Sequence, residues 1–279
     1  MPKLKDMVNL FMDPLVTTGV LMEFLADQFR KKGFDDAVLG LSGGVDSALG
    51  AALLVEALGP EHVVGLIMPS DESSKASVDD ARAVARSLGI KCAVRPIGPV
   101  VRAFFKGGTR PDRVRVGNVA ARTRMMCLFD HSKAHSAMVV GTSNKTELLL
   151  GYGTWYGDLA CSINPLGDLY KTQVWQLADF LGVPEHVVTK APSADLWAGQ
   201  TDEKELGFTY AEVDRLLHLM VDREFSHDSL VEAGFPRRFV EEVYRRIIGS
   251  QYKRSLPTIP KVSAKTIGLD FHLSRDWGT

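Results

Sequence analysis

The stretch that most constrains the fold runs Val38-Leu39-Gly40-Leu41-Ser42-Gly43-Gly44-Val45-Asp46-Ser47. A short apolar run ends at a serine and two glycines, and a second, almost wholly apolar segment begins directly afterwards. This order predicts a strand, a tight turn and a helix N-terminus. Glycines let a ligand approach the backbone closely, because they lack a Cβ atom. The free N–H groups and the positive end of the helix dipole favour an anion there, above all a phosphate.

The loop is neither of two well-known phosphate-binding motifs. No lysine follows Gly44, as a Walker A loop requires, and glycines at 40, 43 and 44 do not fit G-x-G-x-x-G. The pattern S-G-G-x-D-S resembles the pyrophosphate loop of the ATP pyrophosphatases, which activate a substrate by adenylation. The alternative is an ordinary glycine-rich turn between a strand and a helix, ending in an Asp or Ser N-cap.

The composition is that of a soluble globular chain. Of 279 residues, 45% are hydrophobic and 24% charged, and the net charge of −1 gives no general attraction to nucleic acid or membranes. Cys92, Cys127 and Cys161 are odd in number and lack C-x-x-C spacing, which indicates reduced thiols in the core. With neither a signal-peptide pattern nor an apolar run of membrane-spanning length, we expect a cytoplasmic protein without nucleic-acid or membrane partners.

Strands alternate with helices through the first half of the chain. Strands are predicted over 37–41, 63–68, 90–97 and 137–141. Helices are predicted over 48–58, from Ser73 or Ser74 to 88, and over 99–105, 119–135, 170–181, 210–222, 227–233 and 236–250. The order favours parallel pairing with right-handed crossovers, and ligands of such sheets bind beyond the carboxyl ends of the strands. We therefore predict an α/β fold with a Rossmann-like parallel sheet flanked by helices and an α-helical C-terminal extension. We assign 1–279 to one domain, with a core of about 36–190 and a helical part of about 191–279.

A further helix precedes the first strand. Its apolar residues recur at helical spacing and end before Lys31-Lys32-Gly33; they are Leu15, Val16, Val20, Phe24, Leu25 and Phe29. We expect this helix to pack on the core or on a partner subunit.

Five segments in order carry a family resemblance: Ser42–Ser47, Gly117–Met125, Gly141–Glu147, Tyr156-Gly157-Asp158 and Pro192–Leu196. Together they resemble the NAD synthetases. The resemblance implies that the carboxylate of deamido-NAD attacks the α-phosphorus of ATP and releases pyrophosphate. Ammonia then attacks the adenylated carbonyl, which gives NAD and AMP. It also implies a homodimer.

The resemblance assigns residues to ATP and to a metal. The ATP-binding residues would be Gly40, Leu41, Ser42, Gly43, Gly44, Val45, Asp46, Ser47, Thr142, Lys171 and Ser193. Asp46 and Glu147 match Mg²⁺ ligands, and hard oxygen ligands suit that ion. Asp46 and Lys171 are the candidate catalytic residues. Each of these residues also has an alternative without a functional role. Asp46 is then an N-cap, Glu147 a solvated helix position and Lys171 an exposed helix lysine.

The resemblance also assigns the deamido-NAD site, to Arg122, Trp155, Ser162, Tyr252 and Lys253. Arginine suits bidentate contact with phosphate or carboxylate, although a basic helix face is the alternative for Arg122. Many short bacterial members have a lysine at the position of Trp155 and an aspartate at that of Ser162, and both contact the dinucleotide. Trp155 either stacks on a ring of the substrate or belongs to the core.

Direct use of ammonia is expected, because the roughly 40 residues before the loop are too few for a fused glutaminase domain. A separate glutaminase subunit is the alternative. The rival hypotheses are another adenylating enzyme, either tRNA-thiolating or like a GMP synthetase, and a non-catalytic sensor of adenine nucleotides. A tRNA-thiolating enzyme favours a basic surface and reactive cysteines, and a sensor does not need two acidic metal ligands.

Overall fold

Four parallel strands form one sheet in the order β3-β2-β1-β4. The computed structural model describes residues 3–108, 111–193, 201–267 and 270–271. The strands are β1 (Asp36–Gly40), β2 (Val63–Ile67), β3 (Lys91–Val94) and β4 (Ala137–Val139). In the centre of the sheet, Val38 lies opposite Val64 on one side and Val139 on the other. The predicted parallel pairing is confirmed.

Strands β3 and β4 are shorter than predicted. After β3, the Arg95 N–H still donates to the Ile67 carbonyl at 2.8 Å, but Pro96 has no N–H to continue the ladder. After β4, Val140 makes one isolated bridge to Ile163. The sheet therefore ends early at both edges, and the polar loops that follow the strands begin there.

Helices surround the sheet and then continue alone to the C-terminal part. In chain order they are α1 (Leu4–Met7), α2 (Pro14–Lys32), α3 (Val45–Leu58), α4 (Lys75–Ser87), α5 (Gly98–Phe104), α6 (Arg113–His135), α7 (Lys145–Leu150), α8 (Lys171–Phe180), α9 (Glu185–Val188), α10 (Asp202–Leu206), α11 (Tyr210–Leu217), α12 (His227–Glu232) and α13 (Arg237–Gly249). A π-helical turn, His218–Asp222, extends α11. The predicted α/β class with a helical C-terminal extension is confirmed.

The predicted start of the long helix α6 is wrong. The predicted helix starts at Val119, but α6 begins at Arg113 and contains Gly117 and Asn118. Asp112 caps the helix, because its side chain accepts a hydrogen bond from the Arg115 N–H at 2.8 Å. Gly117 is buried within the helix, where a glycine costs only about 1 kcal/mol relative to alanine.

Buried apolar residues form three clusters. The largest lies between one face of the sheet and helices such as α3 and α8, and includes Leu39, Leu53 and Leu177. A smaller one covers the other face and includes Val38 and Ala120 of α6. The third joins α11, α12 and α13 to α7 and α8, and Trp175 packs against both it and the largest cluster. The central strands are thus covered on both faces, as parallel strands usually are.

The expectation of a thiol in the core is wrong for Cys92, whereas helix α2 packs on the core as expected. Cys92 is exposed rather than part of the core, because it lies on the edge strand β3, all of whose residues are exposed. Helix α2 buries Leu25 and Phe29, but Leu15, Val16 and Val20 stay exposed by 71%, 61% and 61%. Helix α2 packs on the core through residues that also include Leu21 and Phe24, and it leaves Leu15, Val16 and Val20 exposed.

None of the helices that the structure describes is long and apolar enough to cross a membrane.

Candidate active site

The glycine-rich loop between β1 and α3 is held together by its own hydroxyl groups. The Gly44 N–H donates to Ser42 Oγ at 3.2 Å, and the Ser42 N–H donates to Ser47 Oγ at 3.2 Å. The Ser47 hydroxyl donates to the Gly44 carbonyl at 2.9 Å. The two serine side chains therefore shape the loop, in addition to any contact they make with a ligand.

The two glycines of the loop have different reasons to be glycine. Gly43 has φ of +79°, and a Cβ atom there would lie 2.2 Å from the Ser77 carbonyl oxygen at the start of α4. At Gly44, a Cβ atom would meet only Ser42 Oγ, at 3.3 Å. Gly43 is thus required by backbone conformation and packing, whereas Gly44 leaves open space at the helix N-terminus, where an anion binds favourably.

Asp46 lies in the first turn of α3 and connects three elements. The N-cap position belongs to Gly44, so the alternative that Asp46 is an N-cap is wrong. Its Oδ1 accepts a hydrogen bond from Asn144 Nδ2 at 2.8 Å, and its Oδ2 forms an ion pair with Lys171 Nζ. Residues from the ends of β1 and β4 and the start of α8 therefore meet at one carboxylate.

Glu147 belongs to the same group through a capping box. Asn144 is fully buried and caps α7: its side chain accepts from the Glu147 N–H at 2.9 Å, while its own N–H donates to Glu147 Oε2 at 3.2 Å. Glu147 is partly buried, not a freely solvated helix residue as the alternative held. The sequence prediction gives Asn144 no role of its own, although the spacing of Asn144 and Glu147 is that of a capping box.

Lys171 is almost fully buried, with 2% of its surface exposed, so the exposed-lysine alternative is wrong. Burial by itself lowers the pKa of the Lys171 ammonium, but the Asp46 and Glu147 carboxylates outweigh it and the net shift is upward. Lys171 is therefore a fixed positive charge at the glycine-rich loop.

Two carboxyl groups, those of Asp46 and Glu147, lie near the single ammonium of Lys171. Burial and, next, the nearby Asp46 carboxylate raise the pKa of Glu147 well above its usual value. The described residues contain no group of three or more His, Cys, Asp or Glu side chains placed to hold a metal ion. Two carboxylates nevertheless fit Mg²⁺, which commonly takes one or two protein carboxylates and completes its shell with water and phosphate.

The other residues expected to bind ATP differ in burial and packing. Leu41 and Val45 are buried, and Gly40 ends β1. The Thr142 methyl group packs against α3, at 3.0 Å from where a Cβ atom of Gly50 would lie. Ser193 is exposed and is the last residue described before 201, so the rest of its motif, Ala194 to Leu196, lies outside the described residues.

Aromatic and basic side chains gather at the expected deamido-NAD end. The Trp155 ring stacks on Tyr156, with centroids 4.4 Å apart, and meets Tyr252 edge-on at 5.3 Å. Arg122 Nη2 donates to the Trp155 carbonyl at 3.1 Å. Lys253 Nζ donates to the carbonyls of Gly151 and Gly153, at 2.7 and 2.8 Å. The structure thus brings Arg122, Trp155, Tyr252 and Lys253 to one loop.

Trp155 is half-buried and belongs to none of the three core clusters of the described residues, so the core alternative is wrong. Ser162 is exposed, and its backbone N–H donates to the Val139 carbonyl at 2.9 Å. No contact in the described part of the chain joins Ser162 to the Trp155 group.

A network that the sequence did not point to links this loop to the carboxylate group. The Tyr152 N–H donates to the Glu147 carbonyl at 2.9 Å. The Tyr152 hydroxyl reaches Asp202 Oδ1 and Glu205 Oε2, both at 3.0 Å, and Asp202 Oδ2 accepts from the Tyr210 hydroxyl at 3.0 Å. Asp202 is buried, and contacts of this kind between distant segments leave no local pattern in a sequence.

A glycine-rich loop at a helix N-terminus, a buried lysine and two carboxylates lie at the carboxyl edge of a parallel sheet. This combination defines the class, an α/β nucleotide-binding protein. The family model for NAD synthase matches residues 17–257. The chain therefore belongs to the NAD synthase family, and it is an enzyme, an ATP-using ligase that forms a carbon–nitrogen bond.

Individual relatives agree with this assignment. The chain is 55% identical to an NH3-dependent NAD⁺ synthetase of Trichlorobacter lovleyi, over 93% of this chain and 95% of the relative. Among solved structures, it resembles NH3-dependent NAD synthetase from Campylobacter jejuni with a TM-score of 0.77, 34% identity, and coverage of 90% and 100%. NMN synthetase from Francisella tularensis is similar, with a TM-score of 0.79, 35% identity, and coverage of 90% and 99%.

Proposed function

We propose that this enzyme converts deamido-NAD to NAD with ATP and ammonia, through an adenylated intermediate. In the first step a nicotinate carboxylate oxygen forms a bond to the α-phosphorus of ATP, and the bond to the bridging oxygen breaks to release pyrophosphate. In the second step ammonia attacks the acyl carbon, the bond to AMP breaks, and the nitrogen loses a proton. The observation that carries the proposal is the group of Asp46, Glu147 and Lys171 beside the glycine-rich loop.

The chemistry explains why such a site suffices. A carboxylate is a poor acceptor for an amine, and adenylation turns its oxygen into part of a good leaving group. The protein then has to hold the two substrates in line and offset the phosphate charge as it builds up. The Lys171 ammonium and the N-terminus of α3 provide positive potential at one place.

We place the triphosphate on the loop that ends at Gly44. The open space at Gly44 admits a phosphate to the backbone N–H groups of α3, and Lys171 lies across Asp46 from that helix end. The other residues proposed to contact ATP are Gly40, Leu41, Ser42, Gly43, Val45, Ser47, Thr142 and Ser193.

Asp46 and Glu147 would hold Mg²⁺. Their mutual repulsion, which contributes to the raised pKa of Glu147, is what a divalent cation relieves. When bound, the ion would neutralise phosphate charge and orient the triphosphate. Asn144 supports both ligands, because it bonds to each carboxylate.

The loop around Trp155 is proposed to receive deamido-NAD. Arg122 and Trp155 provide a charged group and a ring surface side by side, and Tyr252 is half-exposed next to them. Lys253 holds two carbonyls of the loop, so its first role is to shape that loop. Ser162 stays a proposed contact that rests on the family resemblance.

We propose ammonia as the direct nitrogen donor, which the printed names of the Trichlorobacter lovleyi and Campylobacter jejuni relatives support. The test supplies purified enzyme with ATP, Mg²⁺ and deamido-NAD, and either ammonium or glutamine. We expect NAD, AMP and pyrophosphate in equal amounts with ammonium, and no NAD with glutamine. NAD formation from glutamine alone would contradict ammonia as the nitrogen donor. Pyrophosphate release at the same rate with and without deamido-NAD would contradict the proposed reaction.

The same assay distinguishes two acceptors. Because one similar structure is that of an NMN synthetase, nicotinate mononucleotide is supplied as a competing substrate. We expect a higher kcat/KM for deamido-NAD, since the aromatic loop offers a ring surface beyond the reacting nicotinate. A higher value for the mononucleotide would contradict the proposed substrate.

We further propose a cytoplasmic homodimer. Three apolar side chains on the N-terminal half of α2 are exposed, which supports an interface there, and the three cysteines form no disulfide, which fits a reducing compartment.

A further inference from the structure

The two candidate phosphate-site helices are short and come from separate parts of the chain. Helix α7 has 6 residues and carries Glu147, while α8 begins with Lys171. An isolated helix of such length is not stable in water, so its position depends on tertiary contacts. The spacing of the proposed metal ligand and the proposed phosphate lysine is therefore fixed by tertiary contacts, among them a connection through a third element.

Asp214, on α11, makes that connection. Its Oδ1 accepts the hydroxyl proton of Thr146 at 2.6 Å, and its Oδ2 accepts the Thr172 N–H at 2.8 Å. The Thr146 oxygen in turn accepts the Lys171 N–H at 3.0 Å. Asp214 thus bonds to Thr146, which precedes Glu147 in the chain, and to Thr172, which follows Lys171.

The connection is centred on two buried side chains, Asp214 and Thr146, that are hydrogen-bonded to each other. Asp214 and Thr146 have no exposed surface. The amides of Lys171 and Thr172 are the first two of α8, which have no partner within the helix, and Thr146 and Asp214 satisfy both from outside. A carboxylate that accepts such bonds in a buried place orients its partners strongly. Any rotation of α7 against α8 would break at least one of these bonds.

We propose that Asp214, acting through Thr146, is a positioning residue that sets the distance between Glu147 and Lys171 for Mg²⁺–ATP. This inference rests on the proposed function. Asp214 touches neither substrate nor reacting atoms. Its role is to keep the two halves of the phosphate site in one arrangement before ATP binds.

The chain offers a control on the same helix. Thr209 caps α11 and accepts the Glu212 N–H at 3.3 Å, and it makes no contact with Asp214, Thr146 or Lys171 in the described residues. Thr209→Ala therefore weakens α11 without touching the connection. Thr146→Ser keeps the hydroxyl, whereas Thr146→Val removes it and leaves both Asp214 and the Lys171 amide without that partner.

The experiment compares wild type with Asp214→Asn, Thr146→Val, Thr146→Ser and Thr209→Ala, at a temperature where circular dichroism shows each to be folded. We expect Asp214→Asn and Thr146→Val to lower kcat/KM for ATP about 100-fold, the size of effect that a misplacement of about 1 Å causes, and to raise the Mg²⁺ concentration needed for half-maximal rate. KM for deamido-NAD should change less than threefold. Thr146→Ser should restore activity to within threefold of wild type, and Thr209→Ala should lower the melting temperature but keep kcat/KM.

Normal kcat/KM for ATP in folded Thr146→Val would overturn the inference, and so would a loss in Thr209→Ala equal to that in Thr146→Val. If Asp214→Asn does not fold, the comparison of Thr146→Val with Thr146→Ser decides the outcome alone. Failure of wild type to form NAD would reject the proposed function instead. An active wild type with unaffected variants rejects only the role of Asp214.

Discussion

At the scale of single residues, the site depends on one carboxylate with two different partners. Asp46 binds the amide of Asn144 with one oxygen and the ammonium of Lys171 with the other. Because Lys171 is buried, it needs this counter-charge in the free protein. The same arrangement holds a lysine and a carboxylate beside the glycine-rich loop.

Asp46→Asn is expected to keep the fold and lose most activity. The asparagine oxygen can still accept a bond from Lys171, so circular dichroism should show native helix content, with a lower melting temperature. The loss of one negative metal ligand should reduce kcat/KM for ATP by about 100-fold or more, as measured by pyrophosphate release.

Asp27→Asn is the matched control. Asp27 forms its ion pairs with Arg30 and Lys31 on α2, away from the site, and should leave the rate unchanged. Near-normal turnover in Asp46→Asn would remove Asp46 from the proposed site.

At this scale the sequence pointed to Asp46, Glu147 and Lys171, but not to what surrounds them. A motif names residues that are close along the chain, so it identified the serines and glycines of the loop. Asn144, Asp202 and Asp214 act through partners that are tens of residues away, and their short polar side chains look like any helix cap or surface position. Their roles depend on which segments meet, which the sequence does not state.

At the scale of elements, the glycine-rich loop combines two requirements. Gly43 must adopt a positive φ and pack against the start of α4, and Gly44 must leave room at the start of α3. The sequence predicts close ligand approach at both glycines, and the structure adds a requirement of backbone conformation and packing at Gly43.

Substitution of each glycine by alanine separates these requirements. Gly43→Ala should lower the free energy of unfolding by at least about 1–2 kcal/mol, because of its left-handed backbone and its clash with Ser77. Gly44→Ala should change that free energy by less than about 1 kcal/mol but weaken ATP binding, since its Cβ atom would occupy the proposed phosphate position. Urea unfolding and ATP titration by calorimetry measure the two effects. Equal destabilisation by both substitutions would contradict this division.

Helix ends were harder to predict than helix existence. Helix α6 begins at Arg113 because Asp112 supplies a cap, and the glycine within it is tolerated in a buried setting. A glycine favours a helix end, whereas an N-cap and burial favour the helix. At Gly117 the helix continues, because the residue is buried in it.

At the scale of the whole molecule, the exposed apolar surface of α2 supports the proposed dimer. Val16 and Val20 lie one helical turn apart and are both exposed by 61%, which is unusual for valine on a free surface. A second copy of the chain would cover them.

Val20→Glu, combined with Val16→Glu, should therefore convert the dimer to a monomer, because two carboxylates would be buried without partners. Size-exclusion chromatography with light scattering should give the 30.6 kDa mass of one chain, against twice that value for wild type. Phe180→Glu, on an exposed position of α8, should leave the mass of the wild type unchanged. A wild type that is itself a monomer would contradict the proposal.

The single-domain assignment stays a proposal as well. Trp175 packs against both the cluster under the sheet and the C-terminal helical cluster, which supports one continuous core.

The sequence by itself determined the α/β class, the order of strands and helices, and the loop at which an anion can bind. These follow from local apolar periodicity and from glycines and caps, which act over a few residues. Only the tertiary structure decided that Asp46, Asn144, Glu147 and Lys171 meet, and that Asp214 joins the helices that carry the last two. The reason is physical. Parallel strands bring distant segments to one edge of the sheet, and the buried polar groups that meet there need one another as hydrogen-bond partners.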